Sequence, residues 1–383
     1  MPDPALDRCI SIEDLRRLAR RRLPRVIFEA IESGADDEVT LRRNVGAFSR
    51  LAFRARYLVD VDNVDISTTV LGEKISVPII VAPTALNRVY HPDGEVAVAR
   101  AAAAAGTVFT LSAAASTSIE AIAGAPGALK WFQVYVWRDR GIVREAIARC
   151  RAHGYSALCV TVDVPVLGNR ERDLRNGMRV PPRPRLGGAI DAALHPRWLW
   201  GYLRGARIDM PNLSGAVGVP AGESVRLSDV ADTQTDPSLT WKDLEWIRDL
   251  WDGPLVVKGI QHPEDARIAA SLGARAIVVS NHGGRQLDSS AATIDLLPAV
   301  VDAVAPDTEV LLDSGVRRGT DVLKAVALGA RACLIGRPCL YGLGAAGEAG
   351  VTKTFDLLAT EIRRDLSLIG CVAIDRLDRS FLI

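Results

Sequence analysis

The sequence predicts an α/β fold: a (β/α)8 TIM barrel with an N-terminal helical segment and a long insertion after its fourth strand. Two observations carry this. Eight short runs of Val, Ile, Leu and Ala recur from residue 78 onward, and a stretch with helical apolar spacing follows nearly every one. Strands that are apolar throughout are buried on both faces, and their alternation with helices marks a parallel sheet. Eight such units close a barrel.

The chain begins with helical periodicity over Asp14–Ile31, a stop at Gly34 and a resumption over Glu38–Phe48. The strand runs are then Pro78–Pro83, Val108–Ser112, Trp131–Val136, Ala157–Asp163, Leu255–Gly259, Ala276–Asn281, Glu309–Gly315 and Ala332–Arg337. Helices are expected at Gly94–Ala105, Ser118–Ile122, Asp139–Ala152, Pro263–Leu272, Thr293–Val304, Thr320–Leu328 and Ala349–Leu368. An open doubly wound sheet is the alternative, weakened because no G-x-G-x-x-G follows the first strand. The organisation is one domain, 1–383: a helical cap over 1–65, a barrel over 78–370, and an insertion or lid over 177–240. That insertion holds the aromatic patch His195–Tyr202, which reads as a lid or subunit contact, or as a peripheral membrane contact over 195–204.

Composition narrows the function. A net charge of +1 gives no bulk attraction to nucleic acid. The six cysteines show no C-x-x-C pair and no histidine at zinc spacing, so no metal site is expected and they read as reduced, buried thiols. Neither a signal peptide nor a run of about 20 apolar residues is visible, and a cytoplasmic location is expected, at most peripheral on the membrane's inner face.

Reactive groups of such barrels stand at the C-terminal ends of strands. Here those ends carry Thr84, Ser112, Gln133 and Tyr135, Thr161 and Asp163, Lys258, Ser280-Asn281-His282, Asp313 to Arg317, and Gly336-Arg337. The ends of strands seven and eight commonly hold phosphate on backbone N–H groups, and Gly315, Arg317, Gly336 and Arg337 suit that. His282 precedes two glycines and lies three residues before Arg285. A base and a carboxylate clamp on one turn is what oxidation of a 2-hydroxy acid demands.

With these residues in view, the chain resembles the FMN-dependent 2-hydroxy acid oxidase/dehydrogenase family, which includes glycolate oxidase, L-lactate dehydrogenase and mandelate dehydrogenase. The likeness runs from about residue 10 to 375, through Ser33–Ala35, Thr68–Gly72, Ala82–Ala85, His91–Glu95 and Thr161–Pro165 to the specific segment SNHGGRQLD at Ser280–Asp288. The resemblance implies FMN as cofactor. Ala82, Pro83, Thr84, Ala85, Ser112, Gln133 and Thr161 would surround the flavin ring, and Lys258 would stabilise charge on it. Asp313 and Arg317 would meet the ribityl chain or phosphate, Gly336 and Arg337 the phosphate, with Ser280, Ser314, Gly315 and Val316 as further cofactor contacts. His282 would take the substrate's proton and Asp163 would pair with the imidazolium. Arg285 and Arg170 would hold the carboxylate, and Tyr135 the oxygen that becomes a ketone.

Two departures bear on the substrate. The resemblance places a carboxylate-binding tyrosine where Ala30 stands, and a glycolate-oxidase tryptophan where Ala114 stands. An unreplaced tyrosine hydrogen bond costs about 1.5–3 kcal/mol, so the expectation is a larger pocket for a bulkier L-2-hydroxy acid, or for a pathway-specific intermediate. Oxygen, a quinone or a carrier protein are all open as electron acceptor: the resemblance to lactate dehydrogenases and the aromatic patch slightly favour a membrane quinone, and Ala85 points weakly the other way. A homotetramer is expected by analogy. The alternatives to this chemistry are another FMN-binding barrel enzyme, such as an isomerase using reduced flavin, and a non-catalytic ligand sensor.

Overall fold

Proline decides the first departure from expectation. The stretch Asp14–Ile31 folds as two helices, Ile12–Arg22 and Arg25–Glu32, because Pro24 forces Leu23 out of the helical region to φ −104°, ψ 141°. The first is capped by Ser11, whose hydroxyl accepts from the Asp14 N–H at 3.2 Å. A further helix, Val39–Ala47, completes the N-terminal segment. The computed structural model describes residues 3–125, 127, 129–178, 186–206, 208–213 and 235–383; the remainder of the 177–240 insertion lies outside the described residues.

A hairpin of β1 (Thr68–Val70) and β2 (Glu73–Ile75) precedes the barrel and was not anticipated. The barrel strands are β3 (Ile79–Val81), β4 (Val108–Ser112), β5 (Leu129–Val134) and β6 (Ala157–Thr161), followed by β7 (Leu255–Ile260), β8 (Ala274–Val279), β9 (Glu309–Leu312) and β10 (Cys333–Ile335). All pair in parallel, and β10 closes the cylinder on β3 with Cys333 beside Ile79. The hairpin packs Val70 and Ile75 into the same apolar cluster as the barrel interior. At its turn the Leu71 N–H donates to the Glu309 carboxylate at 3.0 Å.

Six strands stop short of the ends read from sequence. The ladder ends because the residues beyond leave extended geometry: His282, Ser314 and Gly315 have φ of 58°, 74° and 100°. The outer helices follow the expected units closely, and Thr293–Val304 does so residue for residue. The last differs. It begins at Arg337 directly after β10 and runs to Leu368, broken by non-helical backbone at Ala346 and Gly347.

Candidate active site

Alternation along the strands builds the site. Ile80, Val108, Trp131, Cys159, Val256, Val278, Leu311 and Leu334 form a dry layer inside the cylinder. The next inward positions, two residues on, are Ala82, Thr110, Gln133, Thr161, Lys258, Ser280, Asp313 and Gly336. The barrel therefore changes from apolar to polar in one step toward its C-terminal mouth. Above that layer lies a cavity of about 500 Å³. It is lined by every residue expected at the site except Gln133, Asp163 and Ser280, which stand directly behind its wall through bonds to Ser112, His282 and Lys258.

The centre of charge is Lys258. Its ammonium lies 2.9 Å from the Asp313 carboxylate and 2.9 Å from Ser280 Oγ, fully buried. Burial works against its charge, but Asp313 and Asp163 outweigh that and hold its pKa above the ordinary lysine value. Ser314 donates to the other Asp313 oxygen at 2.7 Å.

His282 sits on the turn after β8, its Nδ1 3.0 Å from Asp163 Oδ1. Its positive φ is unusual for a residue with a side chain, and Gly283 and Gly284 continue the left-handed run at 68° and 72°. Burial lowers the pKa of His282 from its ordinary value, with Asp163 opposing. Burial pushes Asp163 upward, but His282 and Lys258 together hold its carboxyl below the ordinary range. Asp163 is thus a carboxylate and His282 a neutral imidazole whose Nδ1–H is directed at it, which leaves Nε2 as the acceptor.

Asn281 and Asp288, in the same Ser280–Asp288 segment, are structural. Asn281 exchanges two 2.8 Å bonds with Asn44, and Asp288 caps the Val39–Ala47 helix by accepting from the Val39 and Thr40 N–H groups at 3.1 and 2.7 Å. The segment is long because it both presents His282 and docks the N-terminal cap.

Four arginines line the cavity: Arg170, Arg285, Arg317 and Arg337. Arg170 is pushed down to about 9 by burial and by Arg285, and remains a cation at neutral pH. Arg285 donates to Ser33 O at 2.6 Å and lies 3.7 Å from Asp173. Arg337, lowered to about 10 by burial and Arg285, donates to the carbonyls of Ile31, Gly283 and Ser33 at 2.8–2.9 Å. Arg317 has its guanidinium 5.9 Å from the Tyr341 ring. Tyr135 is raised to about 12 by burial and by Asp163, so its hydroxyl keeps its proton.

Several features fit a flavin nucleotide. Buried Gln133 Nε2, Thr161 Oγ1 and Thr110 Oγ1 have no partner among the described residues, a costly condition that a heterocycle bearing hydrogen-bonding edges relieves. The Arg337–Leu368 helix starts at the mouth, and the left-handed Ser314-Gly315 turn lies beside it, an arrangement suited to phosphate. Gly315 is required there, since a Cβ would strike the Asn44 carbonyl. Ala30 and Ala114 both line the cavity. So do residues that sequence reasoning missed: Tyr90, Asp173, Trp137, Met178, Met210 and Leu213. The last three lie in the insertion or at its start, where no local pattern marks which residues face the cavity.

The model of the FMN-dependent dehydrogenase family matches residues 19–383. An L-lactate dehydrogenase of Ectopseudomonas mendocina is 44% identical over 371 residues, covering 97% of each chain. An L-lactate oxidase of a Nostoc species is 43% identical over 382 residues, covering 99% of each. Among solved structures, the monotopic membrane protein (S)-mandelate dehydrogenase superposes with a TM-score of 0.93 at 38% identity, covering 98% of this chain and 99% of that one.

Proposed function

The chain belongs to the FMN-dependent dehydrogenase family, and from that premise we propose how its own residues divide the oxidation of a 2-hydroxy acid. The enzyme is an FMN-dependent 2-hydroxy acid oxidoreductase. FMN, when bound, accepts the two electrons that the substrate loses. Ser112, Gln133, Thr161, Lys258 and Ser280, with Ala82, Pro83, Thr84 and Ala85, would hold its ring. Ser314, Gly315, Val316, Arg317, Gly336 and Arg337 hold the phosphate and its chain. Asp313 acts through Lys258, keeping the ammonium charged and fixed.

Nε2 of His282 takes the proton that the substrate releases, and Asp163 stabilises the imidazolium so formed. Arg170 and Arg285 hold the carboxylate of an L-2-hydroxy acid, and Tyr135 donates to the oxygen becoming a ketone. One observation carries this assignment: a neutral, carboxylate-oriented imidazole opens on the same cavity as two half-buried guanidinium groups.

The substrate is larger than lactate, because Ala30 and Ala114 leave the cavity wall short of side-chain volume. The test is anaerobic. The purified yellow enzyme is mixed with glycolate, L-lactate and (S)-mandelate, and flavin bleaching is followed. No bleaching by any of them defeats the chemistry; a tenfold higher kcat/KM for glycolate or L-lactate defeats the larger pocket.

The Pro196–Arg204 helix supports a peripheral membrane contact, and with it a quinone rather than oxygen as electron acceptor. No helix among the described residues is long and apolar enough to cross a membrane. Trp200 and Leu203 are exposed, as are Ile190 on the preceding helix and Leu194 just after it, and Arg204 stacks 3.7 Å from the Trp200 ring. Trp198 and Leu199, expected on the same face, are instead half-buried. A near-stoichiometric yield of hydrogen peroxide per turnover excludes the quinone.

A further inference from the structure

We infer that Tyr90 is a substrate-positioning residue, its hydroxyl supplying a third ligand to the carboxylate held by Arg170 and Arg285. The inference rests on the 2-hydroxy acid reading above and adds a group to it. Tyr90 lines the cavity together with Ala30, Ala114, Arg170 and Arg285. Its side chain is close enough to feel the charges of Arg285, Asp173 and Arg170, yet its hydroxyl has no hydrogen-bond partner among the described residues. A phenol held beside two cations with its donor unused is directed toward an anion that the protein itself does not provide. A carboxylate has about four lone-pair sites, more than two partly engaged guanidinium groups fill. Both are already committed in part: Arg285 to the carbonyls of Ala30 and Ser33, Arg170 to Arg285 O and Gln286.

Position, not mere presence, supports the role. Tyr90 follows the short helix Asn87–Val89, which is pinned at every residue: the Asn87 N–H donates to Glu95 at 2.9 Å, the Arg88 N–H to Ser116 at 3.0 Å, and the Val89 carbonyl accepts from the Trp198 indole at 2.9 Å. Glu95 is itself buried and bonded to Ser116 and Thr117. Trp198, stacked on Tyr202 at 5.1 Å, ties this turn to the insertion. A fixed turn presents the phenol without further loss of freedom on binding. Tyr90 and Ala30 line the same cavity, so Tyr90 would return a donor without filling the place that Ala30 leaves.

The experiment compares wild type with Y90F and Y90A, using the best substrate among glycolate, L-lactate and (S)-mandelate and the corresponding 2-hydroxy amide. Binding of benzoate, an unreactive carboxylate, is read from the flavin absorbance. A donor to the carboxylate predicts that Y90F loses on the order of tenfold or more in kcat/KM on the acid, mostly in KM, with less than threefold loss on the amide. Benzoate should weaken in step. Y90A separates ring from hydroxyl: equal losses in Y90F and Y90A place the effect in the oxygen. Equal losses on acid and amide, or unchanged benzoate binding in Y90F, overturn the inference alone, since wild-type bleaching by the acid still stands. A wild-type flavin that no 2-hydroxy acid reduces overturns the parent reading and this one with it.

Discussion

His282 Nδ1 and Asp163 Oδ1 are 3.0 Å apart, on loops that follow different strands, while the second Asp163 oxygen is buried with no partner among the described residues. The carboxylate is thus committed to the imidazole. Because burial lowers the His282 pKa below its ordinary 6.5, the base is already unprotonated at neutral pH. Protonation destroys a base, so kcat/KM should be flat through neutrality, with its acid limb below 6.5. Asp163 opposes the effect of burial on His282. Replacing it in D163N should therefore move the acid limb to still lower pH while kcat drops by about 10²-fold or more. A limb that moves upward, measured across a pH series, would contradict the pairing.

Pocket volume gives the next outcome. Ala30 and Ala114 sit on the cavity wall, so A30Y and A114W refill it. For a large substrate such as (S)-mandelate, either change should lower kcat/KM by roughly tenfold or more, since overpacking a fitted site costs about 1–3 kcal/mol. Glycolate, which is small, should be spared or favoured. The ratio of the two kcat/KM values is the measurement, and a ratio that does not move refutes the placement of these alanines against the substrate.

Much of this was legible before any coordinates, for physical reasons that differ by residue. Barrel strands are buried on both faces, so Val108–Ser112 announces itself as an unbroken apolar run. His282 and Arg285 were legible because a base and a guanidinium share one turn with two glycines. The break at Leu23-Pro24 was overridden in reading because apolar spacing continues across it, although the proline backbone cannot. The β1-β2 hairpin is three residues a side, too short to show alternation. Tyr90 was illegible for a deeper reason. Its neighbours at the cavity come from other strands and loops, and nothing in its local sequence marks which face it presents.

The exposed face of the insertion makes a prediction about surfaces. Trp200 and Leu203 are 58% and 67% exposed on one short helix. Burying each in a bilayer interface gains about 1.5–3 kcal/mol, so W200S/L203S should weaken binding to phosphatidylglycerol/phosphatidylcholine vesicles by roughly a hundredfold or more. Turnover with a soluble dye as acceptor should not change, because neither side chain lines the cavity. Co-sedimentation of wild type and variant with vesicles decides it. Wild-type protein that stays in the supernatant at every lipid concentration removes the membrane contact.

Lys258 and Asp313 offer a test of what the buried charges do for the fold. Their side chains are 4% and 9% exposed and 2.9 Å apart. Removing one partner of such a pair strands the other as an uncompensated charge in a low-dielectric interior, at a cost of about 3–5 kcal/mol. K258M should therefore destabilise the barrel strongly in urea denaturation, whereas K258M/D313N, which strands no charge, should recover most of the loss. Neither variant should bind flavin as tightly as wild type, because both lose the cation at the ring. The two readouts separate the roles: stability returns in the double variant and flavin affinity does not. If K258M and the double variant prove equally unstable, Asp313 is not held by Lys258 and the polar layer above the dry core has another organising charge.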